Sequence, residues 1–105
     1  MISRHWKGIV KVGQTDEYVR HLTSDTFKLL EKIPGFISAK ILRRTVSEGV
    51  EFLIITEWIN LDSVKQFAGD GLDVAVVPPV ARAMMVRFDE TVVHYEVNHQ
   101  TGIVN

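Results

Sequence analysis

Residues 34–58, PGFISAKILRRTVSEGVEFLIITEW, decide the fold. Pro34-Gly35 closes whatever precedes it, because proline disfavours helix at the residue before it and glycine accepts the turn that follows. Phe36 to Val46 then reads as a strand, Ser47-Glu48-Gly49 as a tight turn, and Val50 to Trp58 as a returning strand. The FLII run, Phe52 to Ile55, is apolar at both parities, which marks this second strand of a hairpin as covered on two sides. Upstream the period changes. Val19, Leu22, Thr26, Leu29, Leu30 and Ile33 recur at helical spacing, so Thr15 to Lys32 is expected to form one long amphipathic helix, with Asp16 and Glu17 in the first turn where the dipole favours them.

Ile2 to Val12 alternates as a strand does, with Ile2, Arg4, Trp6, Gly8 and Val10 on one face and Ser3, His5, Lys7, Ile9 and Lys11 on the other. Beyond the hairpin, Leu61 to Ala68 predicts a short helix started by Asn60 or Asp62, Gly69 to Pro79 is irregular or partly helical, Val80 to Met85 adds a turn, and Val86 to Val97 is the last strand. The order β-α-β-β-α-β is the split βαβ pattern of an α+β, ferredoxin-like fold, with helices on one face of a four-stranded antiparallel sheet. Its other face stays bare. Since either side of the FLII strand leaves apolar residues uncovered, the expected solution is a homodimer closed sheet against sheet.

Length and composition narrow the rest. A chain of 105 residues suits a single domain, with its core over 2–97 and a tail over 98–105. Twelve basic against thirteen acidic residues leave a charge of −1 and no basic stripe for a phosphate backbone, so no nucleic acid is expected. Without cysteine there is no disulfide frame and no thiolate chemistry. No apolar run approaches a membrane span and no leader pattern opens the chain, so a cytoplasmic protein without a membrane partner is expected.

The element order, the KIPGFISAKILRR run into the hairpin, the Glu-Trp that ends its second strand and the final HYEV together resemble the antibiotic biosynthesis monooxygenase domain of the dimeric α/β-barrel superfamily, over roughly residues 2–97. That resemblance implies a pocket between sheet and helices in each subunit. It also implies an activity drawn from a set that includes cofactor-independent oxygenases converting aromatic polyketide phenols to quinones, and haem-degrading enzymes. The haem-degrading motif, carried over residue by residue, falls on Phe67, Val77 and His5. Without an imidazole at Val77 the iron ligand is missing. The quinone-forming pattern places Trp58 at its tryptophan, with Ile54 and Val64 where hydrogen-bonding partners would stand.

The expected function is therefore a small monooxygenase with no cofactor and no metal, acting on a planar hydroxylated aromatic or polyketide-like compound. The alternative is a small-ligand-binding or isomerase-like barrel protein. His5 is the candidate base, since imidazole suits proton transfer near neutral pH and the resemblance puts this position at the site. Trp58, Phe67 and Met84 are the candidate apolar lining, although Trp58 reads more readily as a core or hinge residue at a strand–helix junction. His94, on the last strand, could approach His5 across the strand pair if the register agrees. His21 and His99 read as surface residues. Arg43 and Arg44 alternate faces on a solvated edge, and Pro78-Pro79 stiffens a loop that could border the pocket. Gly69 and Gly71 lack the strand-to-helix setting of a dinucleotide fingerprint, so nicotinamide is not expected.

Overall fold

The computed structural model describes residues 1–102 and is an antiparallel sheet with all its helices on one face. In chain order the elements are β1 (Ile2–Val10), α1 (Thr15–His21), a π-helical turn (Leu22–Thr26), α2 (Phe27–Leu30), β2 (Phe36–Val46), β3 (Gly49–Trp58), α3 (Leu61–Ala68), α4 (Pro79–Arg82), β4 (Met85–Phe88) and β5 (Val93–Glu96). The strands run β2-β3-β1-β4, with β5 also on β1. The expected α+β, ferredoxin-like arrangement is present, with five strands rather than four.

Register fixes which residues face the helices. Ile54 lies between Trp6 and Ile41, and Phe52 between Gly8 and Arg43. Phe52, Ile54, Thr56 and Trp58 are buried on the helix side, while Leu53 and Ile55 of the FLII run look out on the other. Two packed clusters fill the space between the layers. One holds Val10, Tyr18, Leu22, Phe52, Ile54, Val77, Ala81 and Met85, and the other Leu30, Trp58 and Val64. Gly35, at φ +92°, is needed where the turn into β2 meets α3, because a Cβ there would stand 2.0 Å from Ser63 Oγ. Asn60 is the cap of α3: its side-chain oxygen accepts from the Ser63 N–H at 3.0 Å.

Two elements differ from the sequence reading. The single helix expected over Thr15 to Lys32 is interrupted by a π turn, and its inward residues are Tyr18, Leu22, Phe27 and Leu30. The five-residue step from Leu22 to Phe27 is the π turn itself, which rotates the following helix so that Leu29, expected inside, is 60% exposed. The last strand, expected unbroken over Val86 to Val97, is split. Asp89 still donates to Lys7 O of β1 at 3.0 Å, and the residues after it turn away to pair with the loop before α4: Val92 N–H donates to Asp73 O at 2.8 Å and Ala75 N–H to Glu90 O at 2.9 Å. This detour draws the 72–75 loop across the end of the sheet. In the tail, residues 98–102 are exposed and 103–105 lie outside the described residues.

Candidate functional site

Between sheet and helices lies a cavity of about 70 Å³. The sheet contributes Arg4, Trp6, Ile54 and Thr56, and the helical layer contributes Tyr18, His21, Leu22, Thr26, Phe27 and Phe67. The π turn forms part of this wall, and its extra residue lets both His21 and Phe27 reach the cavity. Leu30, Val76, Val77, Pro78, Ala81 and Val92 complete it.

Arg4 is 5% exposed and is the one side chain of fixed charge in the lining. One of its terminal nitrogens, Nη1, donates to Leu72 O at 2.6 Å and approaches His94 Nε2 at 2.9 Å, while Nη2 donates to Val74 O at 3.2 Å. Guanidinium only donates, so His94 Nε2 must accept. The imidazole proton therefore sits on Nδ1, which faces Asp73 Oδ1 at 3.3 Å. The loop drawn over by residues 90–92 thus supplies every partner of this chain: two carbonyls to Arg4 and a carboxylate to His94. Burial, and then the Arg4 charge, push the His94 pKa below its ordinary value, and they outweigh Asp73, which pulls it up.

Tyr18 is 2% exposed, and burial raises its phenol well above the ordinary value. It stays protonated at neutral pH, so its hydroxyl can donate or accept a hydrogen bond but is not a base. His21 stacks on the Tyr18 ring, with centroids 6.4 Å apart. Its Nε2 lies 3.4 Å from Thr26 Oγ1 and its Nδ1 3.6 Å from Asp25 Oδ2. The sequence reading of His21 as a surface residue is corrected: its side chain is 10% exposed and lines the cavity, because α1 turns its i and i+3 positions, Tyr18 and His21, inward together.

The structure separates the four candidate residues. Phe67 lines the cavity, with Arg4 over its ring at 5.9 Å. Trp58 stands behind the wall, fully buried, donating to Thr56 Oγ1 at 2.9 Å. Met84 packs against the larger core cluster and does not line the cavity. His5 lies on the opposite face of the sheet, where its Nε2 meets Ser3 Oγ at 2.9 Å and its ring packs at 5.0 Å on Tyr95. The register pairs Arg4 with His94 and His5 with Val93, so the two histidines are on different faces and do not meet. Arg4 could have been found earlier: a charged residue between Ile2 and Trp6 on an otherwise apolar strand face is an anomaly that requires a partner. Among the described residues no group of three His, Cys, Asp or Glu is placed to hold a metal ion, and no helix is long and apolar enough to cross a membrane.

A pH dependence of stability follows from the two shifted histidines. His94 and His5 both have folded pKa values lowered from 6.5, chiefly by burial, so the unfolded chain binds their protons more readily. Their contribution is therefore full above the unfolded value of 6.5, declines as pH falls below it, and is lost once pH passes the lowered folded values. Melting temperature is expected to drop between about pH 7.5 and about pH 5. His94→Gln should flatten part of that slope and leave the part due to His5; an unchanged slope in the variant rules out the buried His94 as its source.

Comparison with known proteins places this geometry. A search of curated protein sequences gave no significant match. Among solved structures, a Bacillus cereus protein classed with the antibiotic biosynthesis monooxygenases shares 19% identity over 100% of this chain and 98% of its own, with a TM-score of 0.69. The haem degrader MhuD of Mycobacterium tuberculosis, with two haems bound in its active site, shares 18% over 97% and 100% with a TM-score of 0.65. A variant of SnoaB, a cofactor-independent oxygenase from Streptomyces nogalater, shares 17% over 94% of each chain with a TM-score of 0.64. These likenesses establish the fold. The sequence profile of the antibiotic biosynthesis monooxygenase family matches residues 1–70 of the 105, from β1 through α3 and the glycine that ends it. With that match over two thirds of the chain and most of the cavity wall, the chain belongs to the antibiotic biosynthesis monooxygenase family.

Proposed function

We propose that the protein is a cofactor-independent oxygenase of a planar hydroxylated aromatic or polyketide-like compound, bound between sheet and helices. The observation that carries this reading is the cavity itself, apolar on most of its wall and holding one imidazole, His21. Deprotonation of an acidic ring methylene or phenol by His21 gives an electron-rich anion that can reduce dioxygen. One oxygen atom becomes the ring carbonyl and the other leaves as water with the two hydrogens lost, so no external reductant is required. Haem has no part in this reading. The position that the resemblance gives to an iron ligand is Val77, an alkyl group in the wall, and the His94 imidazole faces a guanidinium.

A second reading, ligand binding without oxygenation, draws on Ile54 and Val64, which stand where the quinone-forming pattern has hydrogen-bonding groups and are both buried and apolar. Oxygen uptake by metal-stripped protein on a panel of anthrones and naphthols decides between them. Uptake supports the oxygenase, and binding without uptake supports the second reading.

The assembly we propose is a homodimer closed through the helix-free sheet face. Across that face run Leu42, Leu53 and Lys7, then Lys40, Ile55, His5 and Val93, with Tyr95 beside them. Leu42, Val93 and Tyr95 are exposed, leaving an apolar strip that a second copy can cover. Light scattering is expected to return twice 11.9 kDa for the wild type and 11.9 kDa for Ile55→Lys, which sets a charge in the middle of the strip. A wild-type mass of one chain at micromolar concentration overturns the dimer.

A further inference from the structure

Arg4 has a role that neither the fold nor the oxygenase reading requires. Of the five N–H groups of its guanidinium, three are committed, to Leu72 O, Val74 O and His94 Nε2. The two left over, on Nε and Nη2, have no partner among the described residues, yet no buried side-chain nitrogen or oxygen there is left unpaired. The Nε–H must therefore be accessible, and Arg4, with the second Nη2–H uncommitted, lines the cavity.

The charge is as incompletely matched as the hydrogen bonding. Among the described residues no Asp or Glu lines the cavity, and no carboxylate lies within ion-pair distance of Arg4. Asp73 makes no direct contact with it, bonding the far side of the His94 ring and acting on Arg4 through its charge alone, and its side chain is 82% exposed to solvent. Across the site, the Phe67 ring gives the guanidinium an aromatic face but no countercharge. A cation removed from water is costly unless fully matched, and its desolvation pulls the Arg4 pKa down from the ordinary value, outweighing the upward pull of the Asp73 charge. A ligand that brings an anion of its own recovers this cost, and carboxylate geometry fits a planar fork of N–H donors.

We propose that Arg4 makes the cavity anion-selecting, binding an ionised oxygen, carboxylate or phenolate, on an otherwise apolar aromatic ligand. The loop carrying Leu72, Asp73 and Val74, with His94, holds the guanidinium in place and leaves its two spare donors to the ligand. The inference rests on the cavity being the ligand site, as in the oxygenase reading, but does not depend on any reaction with oxygen.

Two probes of nearly identical shape test it, 1-naphthoate and 1-naphthamide, with affinities measured by titration calorimetry on the full chain. Wild-type protein is expected to bind the naphthoate at least about tenfold more tightly than the neutral amide. Arg4→Met should remove that preference, and Arg4→Lys, which restores the charge without the fork, should recover part of it. Since Arg4→Met also cuts two ties to the loop, its folding is checked by thermal melting, and the wild-type comparison stands without it. Equal or tighter binding of the amide by wild type overturns anion selection and leaves the cavity as an aromatic site. Binding of neither probe overturns both readings.

Discussion

Metal-stripped His21→Ala protein is expected to consume oxygen with an active anthrone or naphthol about 100- to 10,000-fold more slowly than wild type, the range over which a positioned general base acts, while His5→Ala keeps the wild-type rate. The expectation comes from elimination within the cavity. Tyr18 is held protonated by burial, Arg4 is a cation with no basic lone pair to offer, and the Trp6 and Thr56 groups are already engaged, with Asp89 O and with the Trp58 indole N–H respectively. Thr26 has too weak a hydroxyl to act as a base. Among the lining residues His21 alone carries an imidazole, and its nearest partners, at 3.4 and 3.6 Å, bind it loosely. His5 is separated from the cavity by the thickness of the sheet. A rate lost in His5→Ala and kept in His21→Ala would place the chemistry on the sheet face where the dimer closes, and the cavity would then have another purpose.

The contrast between these two histidines shows what the sequence made legible. The hairpin was readable because Pro34-Gly35 and Ser47-Glu48-Gly49 bracket it, and strand alternation assigned Ile2, Arg4, Trp6, Gly8 and Val10 to one face correctly. Which face points inward was not readable, because the FLII strand is apolar at both parities and satisfies either choice. His5, the candidate base by its imidazole and by the position the resemblance gives it, lies on the face that points away. The π turn was equally hidden: Leu22, Thr26 and Leu29 fit an unbroken helix as well as Leu22, Phe27 and Leu30 fit an interrupted one, and only packing against the sheet separates them. The partners of Arg4 had no local signal at all. Two are backbone carbonyls in a loop, brought there because residues 90–92 leave the strand, and a carbonyl carries no residue identity.

Trp58→Ala is expected to lower folding stability by about 3–5 kcal/mol, the usual loss for emptying a buried aromatic site. That is a large part of the total holding a small domain together, about 5–15 kcal/mol. The indole has no exposed surface; it meets Phe36 edge-on at 5.3 Å and Phe67 in a stack at 6.3 Å, and closes a cluster with Leu30 and Val64. These neighbours come from α2, β2 and α3, so relaxation into the void has to move three elements at once. Trp58→Phe keeps much of the apolar volume but leaves Thr56 Oγ1 without the indole N–H, so a smaller loss, about 1–3 kcal/mol, is expected. Urea midpoints with unchanged slope measure both. An alanine variant within about 0.5 kcal/mol of wild type, the range of a surface substitution, contradicts the packing account. The same residue bears on the site without touching a ligand. Thr56 and Phe67, its hydrogen-bond and stacking partners, both line the cavity, so Trp58→Phe should weaken ligand binding through their displacement even where the fold survives.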